Sequence, residues 1–447
     1  HTIDSSDPWP ESRRKAVERL GRVLYTYDDD VNFETVRDLP LSEREKDYSG
    51  PRVRFEGPPE AEILSRVFLQ NVVETRSRVD VTGIVHESRP KAENYMAFGT
   101  WVDLGAFYGQ AYTRNRSLNV LGALGFEPDV NRALYFFDHW LMYFPMAWPQ
   151  VQLGGKPVPG HAPVIANKPH VYFDELSKAG WPTKYEVRDF GNPENDGHGM
   201  LMLSRWRAWV KQGRSQQWIE QRWKALNEAA EYIRWCLDNP DLSLSEHGVL
   251  YNESEGGMSM ASLYCDMPCY LGLLCYADMA EAAGKTDKAV SWRELAERLR
   301  TAMEAYYPTQ VEPFGDVWNP AKAADWHYKQ GVLAPILFAA DRWGYDCRDK
   351  LPEGWADRTE RTYEMTLQNM KPEWCAPAGL GYGQNYFAQS ALLFDRMADA
   401  EPMVKWLARF CYAPRHPNPF RAPEGATMAN DGSVWRRWGD LGNLYQM

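Results

Sequence analysis

The sequence predicts an all-α protein whose helices pair into six hairpins and close as an (α/α)6 barrel, with an N-terminal arm and long loops at one end. Three observations carry this. Apolar residues recur at helical spacing in twelve stretches after residue 60. Strand-like alternation of Val, Ile and Thr is rare. Short turns alternate with long loops rich in Gly, Pro, Trp and acids, so close neighbours are joined on one side while functional residues gather on the other.

Taken in order, residues 10–26 (PESRRKAVERLGRVLYT) read as a short amphipathic helix, and a polar, Pro-bearing stretch to about residue 60 completes an arm or cap. Residues 61–447 are expected to form the barrel. Its helical stretches are 62–76, 101–124, 129–145, 196–213, 216–238, 258–284, 286–306, 325–344, 356–370, 383–399, 401–413 and 434–446. The best strand signals are 80–86 (DVTGIVH) and 164–172. QGR at 212–214 and AGK at 283–285 place Gly where a helix ends in a left-handed cap before its partner begins. An α-solenoid is the alternative, but no fixed period of self-similarity supports it.

The chain has 447 residues, 44% hydrophobic and 25% charged, enough to bury a large core. Its formal net charge of -11 argues against a nucleic acid as the main partner. The mean hydropathy is -0.55 and apolar runs are short and broken by charge, so no membrane span is expected and the protein reads as soluble. Seven cysteines are too sparse for a disulfide scaffold. Cys265 and Cys269 lie one helical turn apart, but no CxxC or nearby His completes a metal site, so no metal or cofactor is expected. The chain opens on His1, which leads to the expectation of a removed leader and a periplasmic or secreted destination; a helical run reaching Met447 leads to the expectation that the natural chain continues.

Aromatic residues make up 13%, with 19 Trp, 24 Tyr and 17 Phe. Aromatic faces stack on the apolar faces of sugar rings while neighbouring carboxylates bond hydroxyls, so the excess points to a carbohydrate partner; a Trp-rich helical core would give the same count.

Four loops carry the acidic and aromatic residues. Phe98 to Asp103 places Trp101 and Asp103 at a helix start, where the dipole favours a carboxylate; Asp103 serves equally as an ordinary first-turn acid. The loop from about 146 to 200 ends in Asn195, Asp196, Gly197, His198 and Gly199, where Asp196 suits a helix N-cap and the glycines permit close approach of a ligand. His198 is as well suited to a structural hydrogen bond as to proton transfer. In the third loop, Glu253 and Glu255 stand two apart among small residues and aromatics, ahead of a helix with Tyr264. Carboxylates held together raise one pKa, which keeps a general acid protonated near neutral pH; solvated or salt-bridged acids are the plainer reading. In the fourth, Glu424 sits between Pro423 and Gly425, a rigid turn that aims a carboxylate as a base would need.

In this order, Trp101-Val102-Asp103, Asn195-Asp196-Gly197, Glu253-Ser254-Glu255-Gly256-Gly257, Glu424 and Gly439-Asp440-Leu441 resemble the six-hairpin glycosidase superfamily of glucoamylases, trehalases and rhamnosidases. The resemblance covers residues from about 60 to 447. It implies an inverting glycoside hydrolase, exo-acting on an oligosaccharide or small glycoside. A glutamate of the third loop would be the general acid, and Glu424 the base that activates water across the sugar ring. The chain lacks an Arg immediately before Asp103 and the tandem W-E-E of glucoamylase-like members, so Glu253 and Glu255 both stand as the acid, with Asp196 in reserve as in trehalase-like members. Trp101, Asp103, His198, Tyr264, Trp374 and Trp438 would bind the sugar.

Two other classes fit the same helices. A sugar epimerase or polysaccharide lyase would use His198, His327 and Tyr264 as acid and base. A non-catalytic carbohydrate-binding protein would have lost its acids, whereas Glu253, Glu255 and Glu424 are present.

Overall fold

The computed structural model describes residues 25–28, 41–78 apart from 42, 51, 57 and 58, then 134, 152–153, 156–157, 195–252 apart from 244, 260–323, 329–369 apart from 342 and 343, 382–401, 425–428 and 434–437. Most of these residues are helical. The elements are β1 (Tyr25–Asp28), α1 (Glu43–Asp47), α2 (Pro59–Arg78), β2 (Gln152–Leu153), β3 (Lys156–Pro157), α3 (Asn195–Lys211) and α4 (Gln216–Asp238). They continue with α5 (Pro240–Ser243), β4 (Tyr251–Asn252), β5 (Met260–Ala261), α6 (Leu263–Ala282), α7 (Thr286–Tyr306), β6 (Pro308–Val311), β7 (Gly315–Trp318) and α8 (Pro320–Ala323). Then come a 3-10 turn (Lys329–Leu333), α9 (Ala334–Ala339), a second 3-10 turn (Arg348–Lys350), α10 (Trp355–Asn369), α11 (Tyr382–Leu393), β8 (Gly425–Met428) and β9 (Val434–Arg437).

Helices buried on every side alternate with helices buried on one. From Leu263 to Ala277, α6 carries a single charged residue, Asp266, and nearly every residue in that span is buried. Such a sequence can only sit inside. It packs along α3, which is buried from Asn195 to Trp209, and along α7 and α9. By contrast, α7 buries Ala289, Trp292, Leu295, Ala296, Leu299 and Met303, a stripe at spacings of three and four, and presents the rest to solvent. α4 buries a similar stripe through Trp218, Ile219, Ala225, Leu226, Ala229 and Ile233. A separate cluster joins Tyr48 to Phe68, Leu69, Val72 and Val73 of α2.

The helix ends obey local chemistry. Ser215 and Ser262 accept the backbone N–H of Trp218 and Cys265 and so cap α4 and α6. Both glycine-marked ends form as the sequence implies: Gly213 and Gly284 have φ of 74° and 70°, and the N–H groups of Arg214 and Lys285 reach back to the carbonyls of Trp209 and Ala280.

Four expectations need correction. Residues 434–446 do not open a helix, because Val434–Arg437 is strand β9, the middle strand of a sheet with β1 and β8, antiparallel to both. A Val-Trp run fits a strand as well as a helix, and the waiting partners decide. Tyr25 and Thr26, expected to end a helix, lie in β1 for the same reason. The stretch 325–344 is broken: Pro335 lacks an N–H and starts α9 after a 3-10 turn, and the chain turns extended at Ala340. Finally, the run 383–399 stops at Leu393, where Asp395 takes φ 57° and the Arg396 N–H returns to the Ala391 carbonyl.

The expected helices at 101–124, 129–145 and 401–413 and the strands at 80–86 and 164–172 lie in whole or nearly so outside the described residues. No helix among the described residues is long and apolar enough to cross a membrane.

Candidate functional site

Two of the acidic motifs are tied together at the start of α3. There Asn195, Asp196 and His198 are all buried. The Asn195 amide donates to the Tyr251 carbonyl at 2.7 Å, and its oxygen accepts the Tyr232 hydroxyl at 2.8 Å. Tyr251 begins β4, which pairs with β5 so that Asn252 faces Met260. Glu253 and Glu255 fall in the sequence between β4 and β5. They lie outside the described residues, but their stem is bound to the residue beside Asp196. The Asp196 carboxylate itself accepts the Gly197 N–H at 2.7 Å.

The stem is also held by α6. Asp266, in its first turn, is fully buried; one oxygen accepts the Leu250 N–H at 2.9 Å and the other accepts the Tyr307 hydroxyl at 2.5 Å. Burial pushes this carboxyl up to about 7, and the two donors pull against that rise. Tyr307 is driven well above the usual phenol value by its own burial and then by Asp266. The Cys265 thiol donates to the Tyr251 carbonyl at 3.7 Å, and the Cys269 thiol to the Asn195 carbonyl at 3.2 Å. Burial, then Cys269, pushes the Cys265 thiol well up, which leaves it a packing group rather than a nucleophile.

Other expected site residues have different surroundings. His198 holds the Ala229 carbonyl through Nε2 at 2.8 Å and meets the Tyr232 ring edge-on, with centroids 4.7 Å apart, which places it in the α3–α4 interface. Tyr264 is fully buried, shares a 2.5 Å hydrogen bond with the Tyr386 hydroxyl and packs on Phe338. Gly199, expected to admit a ligand, admits α6 instead: a Cβ there would lie 2.4 Å from the Cys269 nitrogen. Trp101, Asp103, Trp374, Glu424 and Trp438 lie outside the described residues. Glu424 directly precedes β8, and Trp438 directly follows β9.

Sequence reasoning missed Asp266 and Tyr307, and it named Asn195 only as part of the motif that opens α3. A signal existed for the first, since a lone carboxylate in an otherwise apolar helix must find partners inside. Nothing local marked Tyr307. Among the described residues no group of His, Cys, Asp and Glu could hold a metal ion.

No family model matches the chain. A curated relative, an alpha-L-fucosidase of Dictyostelium discoideum, is 25% identical over 134 residues, which is 29% of this chain and 29% of that protein. The match thus spans less than a third of the relative's length.

Proposed function

We propose that this chain is a glycoside hydrolase, inverting and exo-acting on an oligosaccharide or small glycoside, built on an (α/α)6 barrel. The observation that carries the reading is the bond between Asn195 and Tyr251, which brings the stem of the Glu253 and Glu255 loop to the helix start that bears Asp196. Carboxylic acids gathered at one point are what glycosidic cleavage requires: one protonates the leaving oxygen and another activates water, about 6.5–9.5 Å away in an inverting enzyme. Glu253 or Glu255 takes the first role, with Asp196 in reserve, and Glu424 the second. The partial similarity to an alpha-L-fucosidase supports glycoside hydrolysis without singling out the six-hairpin superfamily. The alternation of buried helices α3, α6 and α9 with one-sided helices α4, α7 and α10 supports a barrel.

An epimerase or lyase reading draws no support from His198 and Tyr264, whose ring nitrogen and hydroxyl are engaged in the core. The deciding experiment is hydrolysis of a panel of aryl glycosides and disaccharides, beginning with an aryl α-L-fucoside, with the anomer of the first-formed product followed by NMR. Release of a sugar with inverted configuration is expected. A retained configuration removes the single-displacement mechanism, and no release from any substrate removes the hydrolase.

A further inference from the structure

Asp266 occupies an expensive position. A carboxylate with no exposed surface gives up its hydration, and here it recovers one backbone N–H and one phenol. Both of its oxygens face the segment that leads into the acidic hairpin or the residue that braces it. Leu250 precedes β4, and Tyr307 follows α7. Asn195 takes the carbonyl of the next residue, Tyr251, and is itself held by Tyr232. Two consecutive residues of the stem are thus fixed by side chains from two different buried helices. Among the described residues the hairpin pairs Tyr251 with Ala261 and Asn252 with Met260, and these side-chain bonds add to that pairing.

We propose that Asp266 and Asn195 are positioning residues, which hold Leu250 and Tyr251, the two residues that lead into the segment carrying Glu253 and Glu255. The proposal rests on the glycosidase reading for what the loop does, and on the hydrogen bonds alone for what holds it. Neither residue touches substrate in this scheme. A displacement of about 1 Å in a general acid is enough to cost about a hundredfold in rate, so a positioning role is readable in turnover.

The test uses the full chain and two independent readouts. Amide hydrogen exchange across residues 247–262 reads the clamp whether or not any sugar is cleaved, and kcat and KM on the best substrate of the panel read its consequence. Asp266→Ala and Asn195→Ala are each expected to speed exchange in this segment about tenfold or more while leaving α7 unchanged. Each is also expected to lower kcat about a hundredfold with KM within about threefold of wild type. Asp266→Asn keeps an acceptor for the Leu250 N–H and offers an amide to the Tyr307 oxygen, so it is expected to fold and to recover slow exchange and most of kcat. Tyr307→Phe, which leaves the Leu250 bond in place, should fall between the two.

Unchanged exchange in both alanine variants overturns the clamp, as does loss of kcat in Asp266→Asn equal to that in Asp266→Ala. Faster exchange with kcat intact overturns the positioning role. If Glu253→Gln and Glu255→Gln keep full turnover, it is the glycosidase assignment of this loop that fails, and exchange still decides whether the two side chains hold it.

Discussion

The hydroxyl of Tyr307 donates to the buried carboxylate of Asp266 at 2.5 Å, while the other oxygen of that carboxylate takes the Leu250 N–H at 2.9 Å. This joins the end of α7, the start of α6 and the approach to the acidic hairpin through one side chain. A titratable group so placed has consequences for stability.

In the folded chain Asp266 titrates at about 7, against an ordinary value of 3.8. Between those values the folded state holds a proton that the unfolded state has lost. This group's contribution to stability therefore declines as pH rises from about 4 to about 7, and stays low above that. Asp266→Asn has no such titration. The unfolding free energy of wild type minus that of the variant, measured by denaturant titration, is expected to fall across this window; parallel pH profiles would exclude the shift.

Glu424→Gln is expected to leave the melting temperature nearly unchanged and to lower turnover by about three decades or more, because it deletes the proposed base. Steady-state kinetics on the best substrate checks this. Activity within a few fold of wild type removes Glu424 from that role.

The general acid is identified by its dependence on the leaving group. Its Gln or Asn variant should lose far more activity on a natural glycoside than on an activated aryl glycoside or glycosyl fluoride, whose departure needs little protonation. Glu253→Gln, Glu255→Gln and Asp196→Asn are compared on both substrates, with Glu253 the expected case. A variant that loses both activities together only binds sugar, and the effect appearing in Asp196→Asn alone would move the acid to the earlier loop.

Gly199→Ala is expected to destabilise the protein by about 2 kcal/mol or more, since its Cβ would meet the Cys269 nitrogen at 2.4 Å and the Pro268 carbonyl carbon at 2.6 Å. Backbone on a buried helix cannot step aside as a flexible side chain can. Equilibrium denaturation reads the effect, and a change under about 0.5 kcal/mol would show that α3 and α6 are less tightly crossed than this.

How far the sequence discloses these features varies with how local their causes are. α7 is legible almost to the residue, because its stripe of Ala289, Trp292, Leu295, Ala296 and Leu299 and the Gly284 before it are local signals. The start of α3 is legible for the same reason. β9 is not, since Val434–Arg437 takes its form from Tyr25–Asp28 at the other end of the chain. The break before α9 is written in Pro335, yet a helical apolar rhythm runs across it and hides it. Of the site, the acids stand out as types in loops, whereas Asn195 and Tyr307 gain their roles only when folding brings Tyr251 and Asp266 to them.

The pairing of Tyr25 with Arg437 joins positions more than four hundred residues apart. During synthesis β1 leaves the ribosome long before β9 exists, and until β9 arrives its N–H and C=O groups form an open strand edge. The sheet is thus a contact of very high sequence separation, costly in loop-closure entropy and expected among the last to form. Because β8 pairs only with β9 in this sheet, the strand that follows Glu424 in sequence gains its partner at the same late step. A chain that has folded its helical core but not yet closed this sheet would be compact, helical by circular dichroism and still without the paired strand that follows its candidate base.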